Sequence, residues 1–331
     1  MSHRQIKKSA IRQPSKLDPA APSARSDGDR REFLKAVGAF SIGLSMAHLG
    51  TEPATAAEQP KVPQVPFGKV RLSRLICGSN PFNAGSHLSN FVNREMRTYY
   101  TPEQILKTLR RCEEAGVNCW QISGVHNLEL YRQLVDQGSR MHAISLGRDP
   151  ADLPLLAKGG CLGVAHHGEV TDQLFKSGKL DEIRDFLQRV RDAGMLAGVS
   201  THMPAVVDAI ESKGWEPDYY MTCVYERNRS NEELKKLLGY VPLPAREVYL
   251  EEDPPRMFQA VRNAPRPCLA FKILAAGRVC DRADTVERAF RETFQGIKPT
   301  DAVIVGIYDR YSDQPGEDAA LTFRYGNGKV A

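Results

Sequence analysis

The chain has 331 residues, with 45 Lys+Arg against 40 Asp+Glu, 41% hydrophobic residues and 7 Cys. That hydrophobic share supports a full core, which excludes a mostly disordered protein, and the length suits one large domain or two of ordinary size. A net charge of +5 without a Lys/Arg block argues against a nucleic-acid partner, and seven cysteines without a CxxC pair argue against a zinc ribbon or disulfide scaffold.

Residues 1–29 are polar, rich in Ser, Pro and Arg, and show no apolar periodicity. Asp29-Arg30-Arg31-Glu32-Phe33-Leu34-Lys35 then leads into an apolar, Gly-rich run from Ala36 to Gly50. Ala54-Thr55-Ala56 supplies the small-residue pattern that a signal peptidase cleaves. The run is too short and too weakly apolar for a stable membrane span. The arginine pair, Phe-Leu-Lys, apolar run and cleavage site, in that order, resemble a twin-arginine export signal. The resemblance implies a partnership with the twin-arginine machinery, transport in the folded state and a periplasmic or extracellular address. The expected division is a signal over 1–56, a short linker over 57–66 and one domain over 67–331. Residues 1–56 carry nine basic and five acidic side chains, so most of the net positive charge belongs to the signal.

Beyond residue 66, apolar strand runs alternate with amphipathic helix patterns, the signature of a parallel α/β fold. Strands are expected at 74–78, 117–123, 142–146, 162–167, 196–200, 219–225, 268–274 and 302–307. Helices are expected near 102–115, 127–137, 180–193, 204–212, 255–263 and 285–294, with a short irregular one after the third strand, an exposed helical turn at Glu232-Glu233 to Lys235-Lys236, and a last helix starting at Asp318. Thr101-Pro102-Glu103-Gln104 is a helix start with a capping Thr and Pro at the first position, and Gly116 is a helix stop. Eight units in this length predict a single (β/α)8 TIM barrel. An open doubly wound sheet is the alternative, and the chain lacks the Gly-rich fingerprint usual for it.

Four collinear segments carry a family resemblance. They are Phe67-Gly68-Lys69 with Leu72 to Phe82, Gly116-Val117-Asn118-Cys119-Trp120-Gln121-Ile122-Ser123, Gly198-Val199-Ser200-Thr201, and Ile304-Val305-Gly306-Ile307. In order and spacing they resemble the aldo/keto reductases, whose barrel uses NADP. The resemblance implies a catalytic Asp, Tyr, Lys and His near the nicotinamide. Here the Asp position holds Gln121, the Tyr position falls at about His126, and the third strand offers no Lys. Only the fourth-strand His survives, as His166 or His167. Among the nicotinamide-holding positions Ser200 is kept, while Thr201 and Thr222 replace the usual amides. The fold is expected to be inherited and the reaction replaced.

In such barrels the C-terminal strand ends carry the chemistry, and here they form a polar ring. The expected catalytic residues are His126, His167, His202 and Lys272. Expected substrate contacts are Asn80, Gln121, Ser200, Tyr225, Glu226, Arg278 and Asp309. His126, His167, Glu169 and His202 offer the imidazole and carboxylate donors of a zinc, iron or manganese site; otherwise these side chains hydrogen-bond a substrate. Lys272, inside an apolar strand, reads as base, Schiff-base nucleophile or carboxylate anchor, or else as the partner of Glu226 or Asp309. Ala275-Ala276-Gly277-Arg278 reads as an anion cradle, and the polar stretch from Glu226 to Glu252 as a lid. Cys77, Cys119, Cys223 and Cys268 are expected to be buried and inert, with Cys161 better placed for reactivity. The chain is therefore expected to be an exported enzyme using acid/base chemistry, with or without a divalent metal. Its substrate would be small, polar and carbohydrate-derived, and its reaction of isomerase, lyase or hydrolase type. A divergent NADP-dependent oxidoreductase and a non-catalytic binding barrel are the alternatives.

Overall fold

The computed structural model describes residues 62–243 and 247–327, so the twin-arginine-like segment and the boundary at residue 56 lie outside the described residues. Gln64–Phe67 (β1) and Val70–Ser73 (β2) form an antiparallel hairpin turning at Gly68, whose φ is +56°. Most of β1 lies in the stretch expected as a linker. Eight parallel strands follow: β3 (Leu75–Gly78), β4 (Cys119–Ser123), β5 (His142–Gly147), β6 (Cys161–His166), β7 (Leu196–Thr201), β8 (Tyr219–Cys223), β9 (Cys268–Phe271) and β10 (Ala302–Gly306). They pair in chain order, and β10 returns to β3 to close the barrel. Each overlaps an expected strand.

Alternation along the strands sorts the side chains into two layers. Ile76, Cys119, Ile144, Ala165, Tyr219, Met221, Leu269 and Ile304 fill the barrel interior together with Val65, Phe67 and Leu72 of the hairpin. The ring of Phe67 meets the fully buried ring of Tyr219 edge-on, centroids 4.9 Å apart, so the hairpin plugs the N-terminal end of the barrel. Tyr219 fits only because Gly198 faces it; a Cβ there would stand 2.7 Å from a ring carbon.

The other strand face, with Trp120, Ile122, Val164, Val199, Tyr220 and Val303, packs against the helices. These are α1 (Asn90–Tyr99), α2 (Pro102–Glu114), α3 (Leu128–Asp136), α4 (Leu153–Lys158), α5 (Gly168–Lys176), α6 (Glu182–Asp192), α7 (Pro204–Ser212), α8 (Asn231–Leu238), α9 (Asp253–Asn263), α10 (Ala283–Gly296) and α11 (Gln314–Gly326). Thr101 caps α2 by accepting from the Gln104 amide, as expected. The expected exposed turn around Glu232–Lys236 is α8, held by a capping box between Ser230 and Glu233 and stopped by left-handed Gly239. Two helices escaped the sequence reading. α1 buries only Met96, on a thin stripe of Val92, Met96 and Tyr99 among polar residues, and α5 opens on a glycine with polar residues on both faces.

The C-terminal helix is tied to the barrel through Arg74. Its buried guanidinium donates to the carbonyls of Asp301 (2.7 Å), Lys298 (3.0 Å) and Gly326, and lies 4.8 Å over the Phe294 ring. Two strands end two or three residues earlier than expected. β8 stops at Cys223, and β9 stops at Phe271 because Lys272 takes φ +59°, which no strand tolerates. Among the described residues no helix is long and apolar enough to cross a membrane.

Candidate functional site

The C-terminal ends of β6 to β9 carry a dense polar cluster. On β6, Ala165 faces inward and His166 outward, where its Nδ1 sits 2.7 Å from the Thr171 hydroxyl and its ring meets Phe186. His167 therefore turns back toward the barrel axis, and on β7 the same alternation brings Ser200 and His202 to the mouth. Gly168 lets α5 approach them; a Cβ there would stand 3.0 Å from both the Ser200 hydroxyl and His202 Cε1.

His202, only 4% exposed, is held by a residue that sequence reasoning missed. Its Nδ1 donates to Asp172 at 2.7 Å, and Asp172 also accepts from the Thr201 hydroxyl (2.6 Å) and the Asn228 amide (2.9 Å). With the proton fixed on Nδ1, Nε2 keeps its lone pair, and no serine or cysteine side chain among the described residues is hydrogen-bonded to it. Burial lowers the imidazole pKa; the Asp172 bond opposes this, while Arg227 and Lys272 reinforce it. The ring is thus neutral near pH 7, a base held in one tautomer. Glu169 and Asp172, three apart on α5, share one face of that helix. That spacing, behind a histidine at a strand end, was the available sequence signal for Asp172.

A second layer braces the dyad. Arg227, with 7% of its side chain exposed, bridges Glu169 (2.8 Å) and Glu247. Glu247 also accepts from His87 Nδ1 (2.9 Å) and the Tyr249 hydroxyl (2.7 Å). Burial would raise this carboxyl, but His87, Arg227 and Tyr249 together hold it at about 2. Asn80 reaches His87 at 3.2 Å and so sits at the rim. His167 Nε2 accepts from Arg148 at 2.8 Å, which leaves its Nδ1 proton buried without a partner. Burial and the Arg148 charge lower its pKa to about 4.

Lys272 follows β9, beside Cys223 and the Phe271 ring that meets His202 edge-on at 5.6 Å. Its ammonium has no hydrogen bond or ion pair among the described residues. Burial lowers its pKa to about 8, with Arg227 and Arg278 adding to the lowering and Cys223 and Glu247 opposing it. Neither Glu226 nor Asp309 is its partner.

Several expected site residues are placed elsewhere. Glu226 accepts from Arg229 (3.3 Å) and Arg256 (2.6 Å), in a network with Asp253 that anchors Glu226 and Arg229 to α9. Asp309 accepts from the hydroxyls of Tyr100 (3.0 Å) and Thr108 (2.8 Å), locking α1 and α2 to the end of β10. Both carboxylates are engaged in structure. Tyr225 lines a 570 Å³ groove with residues of α9 and α10, and none of His167, His202 or Lys272 lines it. Arg278 is a clamp and not an open anion cradle: it stacks 4.1 Å over Tyr249 and donates to the carbonyls of His87, Glu247 and Ala275. Gln121 is buried at the mouth and donates to its neighbour's carbonyl on Ile122. His126 is exposed on a turn after β4. The four expected metal donors do not form a site: His126 is exposed on its turn, Arg227 takes Glu169, and Arg148 takes His167 Nε2. Among the described residues no group of three or more His, Cys, Asp or Glu could hold a metal ion. Cys77, Cys119, Cys223 and Cys268 are buried free thiols, as expected. Cys161 is buried too, and its thiol is pushed up to about 12, against the expected reactivity.

The chain matches no protein-family model and no curated protein. It is similar in structure to a glycerol dehydrogenase from Gluconobacter oxydans, at 11% identity and a TM-score of 0.44, covering 81% of this chain and 97% of that one. It is similar to a phospho-2-dehydro-3-deoxyheptonate aldolase from Thermotoga maritima at 13% identity, TM-score 0.46, with 91% and 93% covered. A dihydropteroate synthase from Yersinia pestis follows at 9% identity, TM-score 0.47, with 79% and 98% covered. Likenesses this slight carry no argument about chemistry, and the barrel rests on its own closed strand pairing: the chain is a (β/α)8 barrel with a polar cluster at its C-terminal mouth.

Proposed function

We propose that this barrel is an enzyme that moves a proton on a small, polar, carbonyl-bearing substrate, carbohydrate-derived in class, with His202 as the base. The observation that carries the reading is the Asp172–His202 pair: a buried carboxylate fixes the imidazole proton on Nδ1 and leaves Nε2 free beside Lys272. Since no hydroxyl or thiol among the described residues is hydrogen-bonded to Nε2, the pair is suited to take a proton from a substrate and not to activate a nucleophile of its own. Ser200 and the backbone at the start of α5 border the same space and supply hydrogen bonds for orientation. A carbonyl next to the scissile C–H acidifies it, and a cationic group beside the oxygen stabilises the enolate that forms. Reactions of isomerase or lyase type share that step.

The test is deuterium wash-in. The purified protein is incubated in D2O with a panel of aldoses, ketoses and sugar acids, and exchange at carbons next to the carbonyl is followed by proton NMR. Enzyme-dependent loss of one C–H signal that disappears in His202→Gln supports the reading. Exchange of equal rate in wild type and His202→Gln sinks it. We extend the proposal to an exported working place, supported by the Arg30-Arg31 run and the small residues before Ala57.

A further inference from the structure

Lys272 stands at the mouth in a setting that the proton-transfer reading does not by itself account for. It stands where β9 breaks off, on a backbone with φ +59°, followed by Ala275 and Ala276 at +48° and +51°. Three non-glycine residues in the left-handed region within five positions make a strained turn, and strain of this kind persists only where the surrounding packing over-determines it. The turn places the amine at the inner rim instead of letting the strand carry it outward. The other charged groups around it are engaged: Arg227 with Glu169 and Glu247, His202 with Asp172, His87 with Glu247, and Arg278 with backbone carbonyls and the Tyr249 ring. Lys272 has no hydrogen bond or ion pair among the described residues. Glu247, the carboxylate whose charge it feels, is engaged by Arg227, His87 and Tyr249. A lysine kept for structure would take a carboxylate or snorkel to water. One surrounded by Phe271, Cys223 and two guanidinium groups is instead held ready to lose its proton.

We infer that Lys272 is the covalent centre of the site, condensing with an aldehyde or ketone substrate to form an imine. The inference rests on the proton-transfer reading and adds the bond that activates the substrate. The neutral amine attacks the carbonyl carbon; the nitrogen loses its two hydrogens to the departing oxygen, which leaves as water, and a C=N bond replaces C=O. The protonated imine draws electrons from the neighbouring C–H more strongly than the carbonyl did. His202 Nε2 takes that proton, giving an enamine, and returns it to the same or another carbon. Water then hydrolyses the imine and restores both lysine and carbonyl, so no oxidant or reductant is needed.

The experiment is reductive trapping of the full chain with pyruvate, dihydroxyacetone or glyceraldehyde, each with sodium borohydride, read by intact mass and peptide mapping. The expected result is one adduct per chain, of probe mass less one oxygen, on the peptide holding Lys272. Labelling of that peptide should fall to background in Lys272→Arg, which keeps the charge and cannot form the imine, and should quicken as the pH is raised through about 8. Lys272→Met serves as the second variant, and thermal melting establishes that either is folded. Adducts scattered over other lysines and unchanged in the variants would overturn the inference. So would the absence of an adduct with all three probes: if deuterium exchange by the same protein persists, the imine alone falls, and if exchange is absent as well, both readings fall.

Discussion

At Lys272 folding and chemistry pull in opposite directions. Its pKa falls from 10.5 to about 8 because burial and the two neighbouring guanidinium groups disfavour the ammonium. A lowered pKa means the unfolded chain binds the proton more tightly, so the penalty is full below pH 8 and shrinks as pH rises toward the unfolded value. A shift of that size corresponds to about 3 kcal/mol. Lys272→Met is therefore expected to abolish activity and to raise stability at pH 7 by up to that amount, with a smaller gain at pH 9.5. Urea denaturation of both proteins at the two pH values measures it, and a variant less stable at pH 7 contradicts the burial argument. Gly198 shows the opposite kind of constraint. Because Tyr219 fills the space a methyl would need, Gly198→Ala should cost roughly 1–3 kcal/mol by overpacking. A clear drop in melting temperature is the expected readout, with the exposed Gly178→Ala as a strain-only comparison.

Among the elements, α5 carries most of the site's organisation. It begins beside His167, places Glu169 on Arg227, and one turn later places Asp172 under His202. Asp172→Asn keeps the volume and removes the carboxylate that fixes the proton on Nδ1. The expected loss in rate is roughly 10²–10⁴-fold with little change in substrate binding, since a base presented in the wrong tautomer binds but does not react. Steady-state kinetics separates the two; a variant changed in KM alone would contradict the assigned role. This helix was not legible in the sequence, because its first residue is glycine and its polar positions serve the mouth and not solvent. Its neighbours were legible: α2 announced itself by Thr101 and Pro102, and α7 begins and ends where the sequence reading put it. The difference is that capping and apolar periodicity are local signals, whereas a helix committed to an active site spends its polar positions on distant partners.

For the molecule as a whole, the strand pattern was legible almost throughout, since each strand's inward and outward faces are both buried and leave near-continuous apolar runs. The plug at the other end was not, because the β1–β2 hairpin makes sense only against Tyr219 inside the barrel. The proposed export signal carries a separate prediction. Replacing Arg30 and Arg31 together by Lys should hold the protein in the cytoplasm, seen by cell fractionation, while the barrel's melting behaviour stays unchanged. Export at the wild-type level in that variant would remove the twin-arginine reading.

By itself the sequence determined the eight strand–helix units and the closed-barrel class, and it pointed to the polar strand ends where the candidate site lies, because periodicity, caps and turn residues act over a few positions. Only the tertiary structure decided which residues there work together. It chose His167 over His166 for the mouth, through strand alternation past an irregularity near Cys161. It engaged Glu226 and Asp309 in structural ties and left His126 apart from the other expected metal donors. It also paired His202 with Asp172 thirty residues before it, and Arg227 with Glu169 fifty-eight before it. Such pairs are set by the spacing of strands around a closed barrel, and that distance does not exist along the chain.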